Sequence, residues 1–469
     1  MNRLAVLADD ELSSIHDATL RILSEVGIVL THPEAREILK AAGASTHGDR
    51  VLLPSDLVER EVARCPHRVL VRGRDGRTVT IGDGNLHWHN LGGARDIYDF
   101  RTGQRRAANV QDLCNSSRLL DAMDSITTVT PLFTPCDVPG ELMSVAMYRH
   151  CLPHTTKPVQ GPGVQTAIEV RSIARMAAVI GPPEETLTIA TSPVSPLHFP
   201  DDVAEAMIET ARLGIPFGPL PCPIAGATAP MSLAGALAQQ NAEVLASIVM
   251  TQLVRPSLPT IYYGRLSLVE PRTGVSMWGG AVMGLVSAAT VQIGHRYGVP
   301  VNVYGLCTNS HVMDLQSGYE RTINAVVPAL AGADELSGIG EIESGVISSL
   351  AQIVTDNEIA AGVSRLRRGI SVNDDSLGVD VIATVMEGSR NFMGHRHTVR
   401  HLRSGELLLP HLAYWRTWEE WEQAGREGMI ERAQAEAERL LAEPKVPPLR
   451  EDQERELEEI MRQTREELL

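Results

Sequence analysis

Polar side chains that could act on a substrate concentrate in two loops in the second half of the chain. The first loop, residues 305–316, contains His311 in an unusually polar setting. The second, residues 336–345, combines three glycines with the carboxylates Glu341 and Glu343. Glycine lets a backbone approach a ligand closely, and imidazole and carboxylate groups hold cations or move protons. We therefore predict His311, Glu341 and Glu343 as catalytic residues, with helix capping as the alternative role.

Three aromatic residues precede or flank these loops in a chain that is only 4% aromatic. Tyr263 and Tyr304 end predicted strands, and Trp278 follows the first of them. Aromatic faces attract quaternary ammonium groups. Tyr263, Trp278 and Tyr304, together with the neighbouring Arg265, are therefore predicted to bind substrate, and simple core packing is the alternative.

A third polar segment, residues 85–99, contains His87, His89 and Asp96. The His-x-His spacing occurs in metalloenzyme barrels, but zinc or iron needs further ligands and no other tight cluster offers them. We therefore expect no bound metal and assign His87 and Asp96 to substrate binding. A metal-dependent barrel hydrolase that uses His87 and His89 stays open as an alternative.

The elements that would position these residues alternate between strand and helix from about residue 85 onward. Strand starts lie mostly ~25 to 45 residues apart, which is typical of a parallel sheet covered by helices. The predicted strands are 125–131, 157–160, 187–191, 215–220, 259–263, 299–304 and 334–337. The predicted helices are 142–150, 164–180, 202–213, 232–253, 279–297, 318–330 and 346–367.

Seven such repeats, with an eighth strand near residues 86–90 or after Arg367, predict a closed (β/α)₈ barrel, the TIM barrel. In that fold catalytic groups come from the loops after the strands, which is why the two polar loops are informative. A Rossmann-type open sheet is the alternative. However, no G-x-G-x-x-G follows a predicted strand, and no G-x-x-x-x-G-K-[ST] is present.

The composition divides the chain into three parts: an N-terminal extension (1–84), the barrel (85–409) and a C-terminal helical segment (410–469). The first 65 residues are predicted to be helical and separate, and a β-hairpin follows them. The C-terminal segment begins with Trp415, Trp418 and Trp421 and continues as Glu/Arg-rich helices broken by prolines. It is either a solvated appendage or a subunit contact of a homo-oligomer.

The overall charge, the cysteine content and the hydropathy indicate the kinds of partner and the cellular location to expect. A formal net charge of −16 argues against a nucleic-acid partner, which would require a basic surface. The six cysteines form no C-x-x-C pair and are expected to be reduced. No apolar run reaches the ~18 residues of a membrane span, and no signal peptide is evident, so a cytoplasmic location is expected.

Several motifs together resemble the trimethylamine:corrinoid methyltransferase family. They are residues 226–243 (GATAPMSLAGALAQQNAE), Ser195-Pro-Leu, Asp314-x-Gln316-x-x-x-Glu320, residues 354–359 (VTDNEI) and residues 391–398 (NFMGHRHT). The resemblance covers nearly the whole chain. It implies a (β/α)₈ barrel that moves a methyl group from a methylated amine to the cobalt of a separate corrinoid protein.

The resemblance also implies a branch of that family. Its archaeal trimethylamine enzymes carry pyrrolysine in the loop corresponding roughly to residues 340–343, where this chain has Glu341. The sequence therefore looks like the non-pyrrolysine branch, whose understood members demethylate quaternary amines such as glycine betaine, proline betaine and carnitine. Where many relatives have Ser-Asp-Ser-Lys, this chain has Thr308-Asn-Ser-His311.

These expectations assign further roles. A corrinoid-binding D-x-H-x-x-G signature is absent, so the cofactor is expected on the partner protein. A betaine carboxylate would need donors, for example His311, Arg265 or the backbone near Thr228 at the start of the 232–253 helix. The middle of that helix, with Gln239, Gln240 and Glu243, is expected to serve packing. A non-catalytic barrel that only binds quaternary amines stays open as an alternative.

Overall fold

The computed structural model describes residues 3–161, 163–443 and 445–469. Its centre is a ring of short parallel strands that are buried because both faces of such a sheet are covered. Seven are regular: His87–Asn90, Val159–Gly161, Leu187–Thr191, Phe217–Pro219, Tyr262–Gly264, Val301–Tyr304 and Glu335–Ile339. The strand Leu187–Thr191 coincides with its prediction, and the others differ by one to three residues at an end.

The second strand position is irregular. Within the predicted strand 125–131, only Val129 forms a bridge, to Val159. The side chain of Asn90 pairs with the backbone of Thr130 where a neighbouring strand would. Its Oδ1 accepts from the Thr130 N–H at 2.9 Å, and its Nδ2 donates to the Thr130 carbonyl at 2.6 Å. An amide side chain thus replaces a backbone pair, which is why no regular strand forms here.

The ring closes between its last and first strands. Glu335 lies beside His87, and Leu336 lies beside Trp88, in parallel register. The strand that completes the set of eight is therefore the segment near residues 86–90, which is the first in chain order, rather than one after Arg367. The closure confirms the (β/α)₈ barrel and excludes the open-sheet alternative.

Eight helices cover the barrel, one after each strand position. The first, Val110–Ala122, was not predicted; the other seven were. They are Val110–Ala122, Met143–Cys151, Ala167–Ala178, Asp201–Leu213, Leu233–Val254, Ala281–Arg296, Leu315–Ala331 and Leu350–Arg368.

The N-terminal extension packs onto the barrel, so the expectation of a separate unit is wrong. Its strand Ile28–Leu30 pairs with His198–Phe199 in the loop after the fourth strand. The Thr19 hydroxyl donates to the Ala238 carbonyl on the helix Leu233–Val254 at 3.2 Å. The extension comprises helices Asp9–Arg21, Pro33–Ala41 and Ser55–Val62, a π-helical turn Ile22–Val26, and strands Ile28–Leu30, Ser45–His47, Arg50–Leu52, Val69–Arg72 and Thr78–Ile81.

The helix Leu233–Val254 is consequently buried almost all around. It begins after its N-cap residue Ser232, within one residue of the predicted start. Glu243, in its middle, accepts the Ser195 hydroxyl at 2.8 Å and the Leu197 N–H at 2.9 Å. The expected packing role is therefore specific, since this side chain fixes the loop after the fourth strand.

The C-terminal region wraps the barrel's outside. Leu457 and Ile460 are buried, and the Thr464 hydroxyl donates to Ser172 on the barrel helix Ala167–Ala178 at 2.8 Å. Trp415 and Trp418 stay mostly exposed, so their role as a subunit contact stays a prediction. The helices are Asp374–Leu377, Val379–Glu387, Arg396–Arg403, Trp418–Gln423, Met429–Ala442 and Glu451–Leu468. Across the described residues, no helix combines the length and hydropathy needed to cross a membrane.

Two small sheets frame the mouth of the barrel at the carboxyl ends of its strands. One contains Ile224–Ala225, Ser267–Val269 and Ser276–Met277. The other contains Asp96–Asp99, Gln104–Ala107, Glu341–Ile342 and Ile347–Ser348. These sheets hold the loops that follow the first, fifth, sixth and eighth strands.

Candidate active site

A cavity of about 880 Å³ opens at this mouth. Its walls include charged or aromatic side chains from the sixth, seventh and eighth strand–loop–helix units: Arg265, Glu270, Arg272, Trp278, Tyr304, His311, Glu320 and Glu343. A TIM barrel places its chemistry at this end. A larger cavity of about 1100 Å³ lies between the barrel helix Leu350–Arg368 and the chain that follows it, and Ala122 and Leu330 at the ends of two other barrel helices also line it.

Arg265 directs a guanidinium group into the barrel at the floor of the cavity. Its Nη2 donates to Asn302 Oδ1 at 2.5 Å, and its Nη1 donates to the carbonyls of Gly264 and Asn302 at 3.0 and 3.2 Å. Within residues 3–161, 163–443 and 445–469 no carboxylate lies within 4.0 Å of it, and two of its five N–H groups have no partner. A buried guanidinium with free donors is a site for an anionic group.

An aromatic wall flanks this guanidinium. The Arg265 Cζ lies 5.0 Å from the centre of the Tyr304 ring and 5.3 Å from that of Tyr263. The Trp278 ring packs against Tyr304 with centroids 4.8 Å apart. Tyr304 and Trp278 line the cavity, whereas Tyr263 is buried and its hydroxyl donates to Gln160 at 3.2 Å. Tyr263 therefore supports Arg265 from below.

Glu320 supplies a carboxylate to the cavity wall. Its Oε2 accepts the Thr308 hydroxyl at 2.6 Å and the Asn309 N–H at 2.9 Å, and its Oε1 accepts from Gln316 at 3.0 Å. A Cβ atom at Gly279 would lie 2.6 Å from Glu320 Oε2, so only glycine fits there. With its oxygens occupied, Glu320 is a fixed negative charge.

A chain of charges runs along the rim to His311. Arg105 Nη1 lies 3.1 Å from Glu343 Oε2, and its Nε donates to Asp96 at 2.6 Å. His311 Nε2 lies 3.6 Å from the other Glu343 oxygen, and the His311 side chain is 74% exposed. The structure thus places His311 and Glu343 together, at the mouth rather than on the cavity floor. Arg105 was not anticipated from the sequence.

Asp96 belongs to this rim and does not line the cavity. Burial acts to raise its pKa, but the hydrogen bonds from Arg95 and Arg105 outweigh burial and lower it. Because both of its oxygens face arginines, the structure does not support the predicted role of Asp96 in substrate binding.

Glu341 is placed inside the loop rather than in the cavity. Its side chain is fully buried, and its oxygens accept the backbone N–H groups of Thr308 at 2.8 Å and Gly345 at 2.6 Å. It thereby ties the loop after the seventh strand to the loop after the eighth. Burial raises the pKa of Glu341 to about 7, against the lowering effect of Arg321. Glu341 shapes the site without facing a substrate.

Two further sequence predictions are not supported by position. His87 begins the first strand, at the opposite end of the barrel, and its Nε2 lies 3.2 Å from Asp83. Thr228 uses its hydroxyl to accept the Ile224 N–H at 2.9 Å, while the N–H groups of Ala227, Thr228 and Ala229 all donate to the Ile224 carbonyl. That turn therefore has no free donors for an anion.

The histidine pair offers no common site. His89 lies in the barrel interior between Thr130 and Asn302, whereas His87 contacts Asp83. In the part of the chain that the structure describes, no group of three or more His, Cys, Asp or Glu side chains is arranged to hold a metal ion.

Comparison with known proteins places the chain beside methylamine methyltransferases. The family model "Trimethylamine methyltransferase (MTTB)" matches residues 1–468. The trimethylamine methyltransferase MttB of Desulfitobacterium hafniense is 30% identical over 99% of this chain and 95% of its own length. A glycine betaine methyltransferase of the same species is 28% identical over 94% of this chain and 93% of its own length.

Solved structures support the fold. The monomethylamine methyltransferase of Methanosarcina barkeri matches with a TM-score of 0.50 at 12% identity, covering 94% of both chains. Its hydroxylamine complex matches with a TM-score of 0.51. At this identity the likeness concerns the barrel architecture alone.

The titration of Glu341 generates a prediction about stability. Between its ordinary pKa of 4.5 and about 7, the folded chain keeps a proton that the unfolded chain releases, so the folded state loses stability as pH rises. Glu341→Gln removes this titration. Between about pH 5 and pH 7.5, the free energy of unfolding of the variant should rise relative to that of the wild type, by on the order of 3 kcal/mol at most, as measured by thermal melts.

Glu343→Gln, at a partly exposed position two residues away, is the control and should not change the pH slope in this way. Parallel pH–stability curves for wild type and Glu341→Gln would contradict the assignment.

Proposed function

The chain belongs to the trimethylamine methyltransferase family, and from that membership we propose that it transfers a methyl group from a carboxylate-bearing quaternary amine, of the betaine class, to the Co(I) of a separate corrinoid protein. It is a methyltransferase of methylated amines. The observation that carries the proposal is the buried Arg265 at the cavity floor, which forms no ion pair with any carboxylate of the described residues. The glycine betaine methyltransferase relative supports the same class.

Arg265 favours a zwitterion over a simple methylamine. A guanidinium with free N–H groups binds a carboxylate through two parallel hydrogen bonds. Trimethylamine or choline would leave these donors unpaired and bring a cationic group close to a buried positive charge. A betaine carboxylate pairs with the free N–H groups and neutralises the buried positive charge, and it fixes one end of the substrate at the cavity floor.

The opposite end of the substrate then points toward the mouth. Trp278 offers a π face, and Glu320 and Glu343 place negative charge along the walls. These groups hold a trimethylammonium group with a methyl carbon facing outward. The residues therefore orient the substrate in line with an acceptor that approaches from solvent.

Beyond orienting the substrate, the methyl transfer requires no acid or base from this chain. Co(I), carried by the partner's corrinoid, supplies the nucleophile. The methyl carbon forms its new bond as the C–N bond breaks, and the C–N electron pair stays on nitrogen, giving a neutral tertiary amine. No proton is transferred, which agrees with carboxylates whose oxygens are already occupied. The aromatic faces of Trp278 and Tyr304 on the cavity wall solvate the cationic nitrogen less well than water does, which favours the loss of its charge.

An apolar patch on this chain, beside the mouth, could contact the partner protein's surface. Leu315 and Tyr319, one turn apart on the helix Leu315–Ala331, are 86% and 51% exposed, and Val312 precedes them. The same turns carry Gln316 and Glu320, which line the cavity. Exposed apolar patches that adjoin a site mark protein contacts. We assign this patch, Val312, Leu315 and Tyr319, to the corrinoid protein because it borders the opening that the cobalt must reach.

The proposed activity is tested with purified protein and free cob(I)alamin. Glycine betaine or a related betaine should produce the methyl-Co(III) absorption spectrum, while trimethylamine and choline should give little. Binding of betaines without any methyl transfer would favour the non-catalytic alternative. Faster transfer from trimethylamine than from every betaine tested would overturn the carboxylate assignment.

Arg265→Gln should lower kcat/KM for glycine betaine about 100-fold, because two charge-assisted hydrogen bonds to the carboxylate are lost. Arg272→Gln is the matched control: Arg272 lines the same cavity but is exposed and paired with Glu270 at 2.6 Å. An equal loss in both variants, or no loss in Arg265→Gln, would remove Arg265 from the site.

Leu315→Glu should leave transfer to free cob(I)alamin unchanged and slow transfer to a reconstituted corrinoid protein about tenfold, since a charge then replaces an apolar contact. Leu315 opens its helix, where an acid is tolerated. Leu409→Glu, at an exposed site immediately before the C-terminal segment and away from the mouth, is the control. Identical rates for both variants with the corrinoid protein would reject the patch.

A further inference from the structure

We propose that Asn302 and Glu335, two buried residues of the seventh and eighth strands, are positioning residues that aim Arg265 into the cavity and keep its charge available to the substrate carboxylate. The inference rests on the proposed function and extends it to residues that touch no substrate. Neither residue lines the cavity.

The first step is the contact between Asn302 and Arg265. Asn302 Oδ1 accepts from Arg265 Nη2 at 2.5 Å, and the Asn302 carbonyl accepts from Nη1 at 3.2 Å. With Tyr263 and Tyr304 beside the guanidinium, its plane has little freedom to turn. The two N–H groups that have no partner among the described residues then stay available to a ligand in the cavity, which Arg265 lines.

The second step fixes the Asn302 amide. Its Nδ2 donates to Glu335 Oε2 and also lies 2.9 Å from His89 Nε2. Because a carboxylate oxygen only accepts, the amide nitrogen must face Glu335, and the amide oxygen must therefore face Arg265. Burial lowers the pKa of His89, which keeps its ring neutral beside the amide.

The third step holds Glu335 itself. Its Oε1 accepts the Thr128 hydroxyl at 2.9 Å and Gln160 Nε2 at 3.0 Å. All three side chains are buried. A buried carboxylate is costly unless it is hydrogen-bonded and faces an opposite charge. The cation nearest to it along this hydrogen-bond chain is Arg265, which lies one amide group away.

This spacing has a functional consequence. A carboxylate in direct contact with Arg265 would form an ion pair and compete with the substrate for the same N–H groups. An intervening amide transmits the attraction through polarised hydrogen bonds while leaving two donors open. Glu335 thus balances the charge without occupying the site.

The test measures binding of glycine betaine and of choline, which lacks the carboxylate, by calorimetry. Asn302→Asp places the competing carboxylate beside Arg265 and should weaken glycine betaine binding about 100-fold, with choline binding unchanged or improved. Glu335→Gln frees the amide to turn and should weaken glycine betaine binding about tenfold. Both changes conserve shape, and melting temperature and circular dichroism check the fold.

Thr128→Val is the matched control, because it removes one hydrogen bond to Glu335 while leaving Asn302 in place; it should change binding by less than about threefold. A purely structural network would lower melting temperature in all three variants without changing the preference for glycine betaine over choline. Such a retained preference in folded Asn302→Asp and Glu335→Gln would overturn the inference while the proposed function stands. A wild type without that preference would overturn both.

Discussion

The site is built around a buried guanidinium that has no direct ion pair in the part of the chain that the structure describes. Arg265 uses three of its N–H groups on Asn302 and the backbone, and the aromatic rings of Tyr263 and Tyr304 flank it. Such a charge is tolerable only where amides, rings and a distant carboxylate share it. The barrel interior supplies these groups because its strands bring polar residues into one layer. In the proposed function, a ligand carboxylate takes the N–H groups that the protein leaves open.

The rest of the molecule keeps the mouth in shape around that charge. Glu341 joins the loops after the seventh and eighth strands by accepting two backbone N–H groups. Beneath it, the buried Arg321 contacts Asp356 at 3.1 Å, and Asp356 accepts the Gly340 N–H at 2.8 Å. Glu343 takes a left-handed backbone conformation with φ of 50°, which presents its side chain to Arg105 and His311. Carboxylates that look catalytic in sequence thus mostly hold loops.

The sequence predicted the architecture better than the roles. The alternation of apolar strands and helices located seven of the eight helices and the barrel, since burial on both faces leaves a strong signal. It placed Arg265, Trp278, Tyr304, His311 and Glu343 near one mouth. Glu341 and Glu343 could not be told apart, because which carboxylate faces the mouth depends on loop contacts across the barrel, and Glu320 was not predicted as a site residue. Asn302 and Glu335 were not predicted as functional residues, although a polar residue inside a buried strand is an unusual feature that could have indicated them.

The orientation of the substrate is the central claim, and a crystal structure of the protein with glycine betaine tests it most directly. The account predicts the carboxylate within hydrogen-bonding distance of the Arg265 guanidinium, with the N-methyl groups directed past Trp278 toward the mouth. A carboxylate at the mouth beside His311, with the methyl groups on the cavity floor, would contradict it.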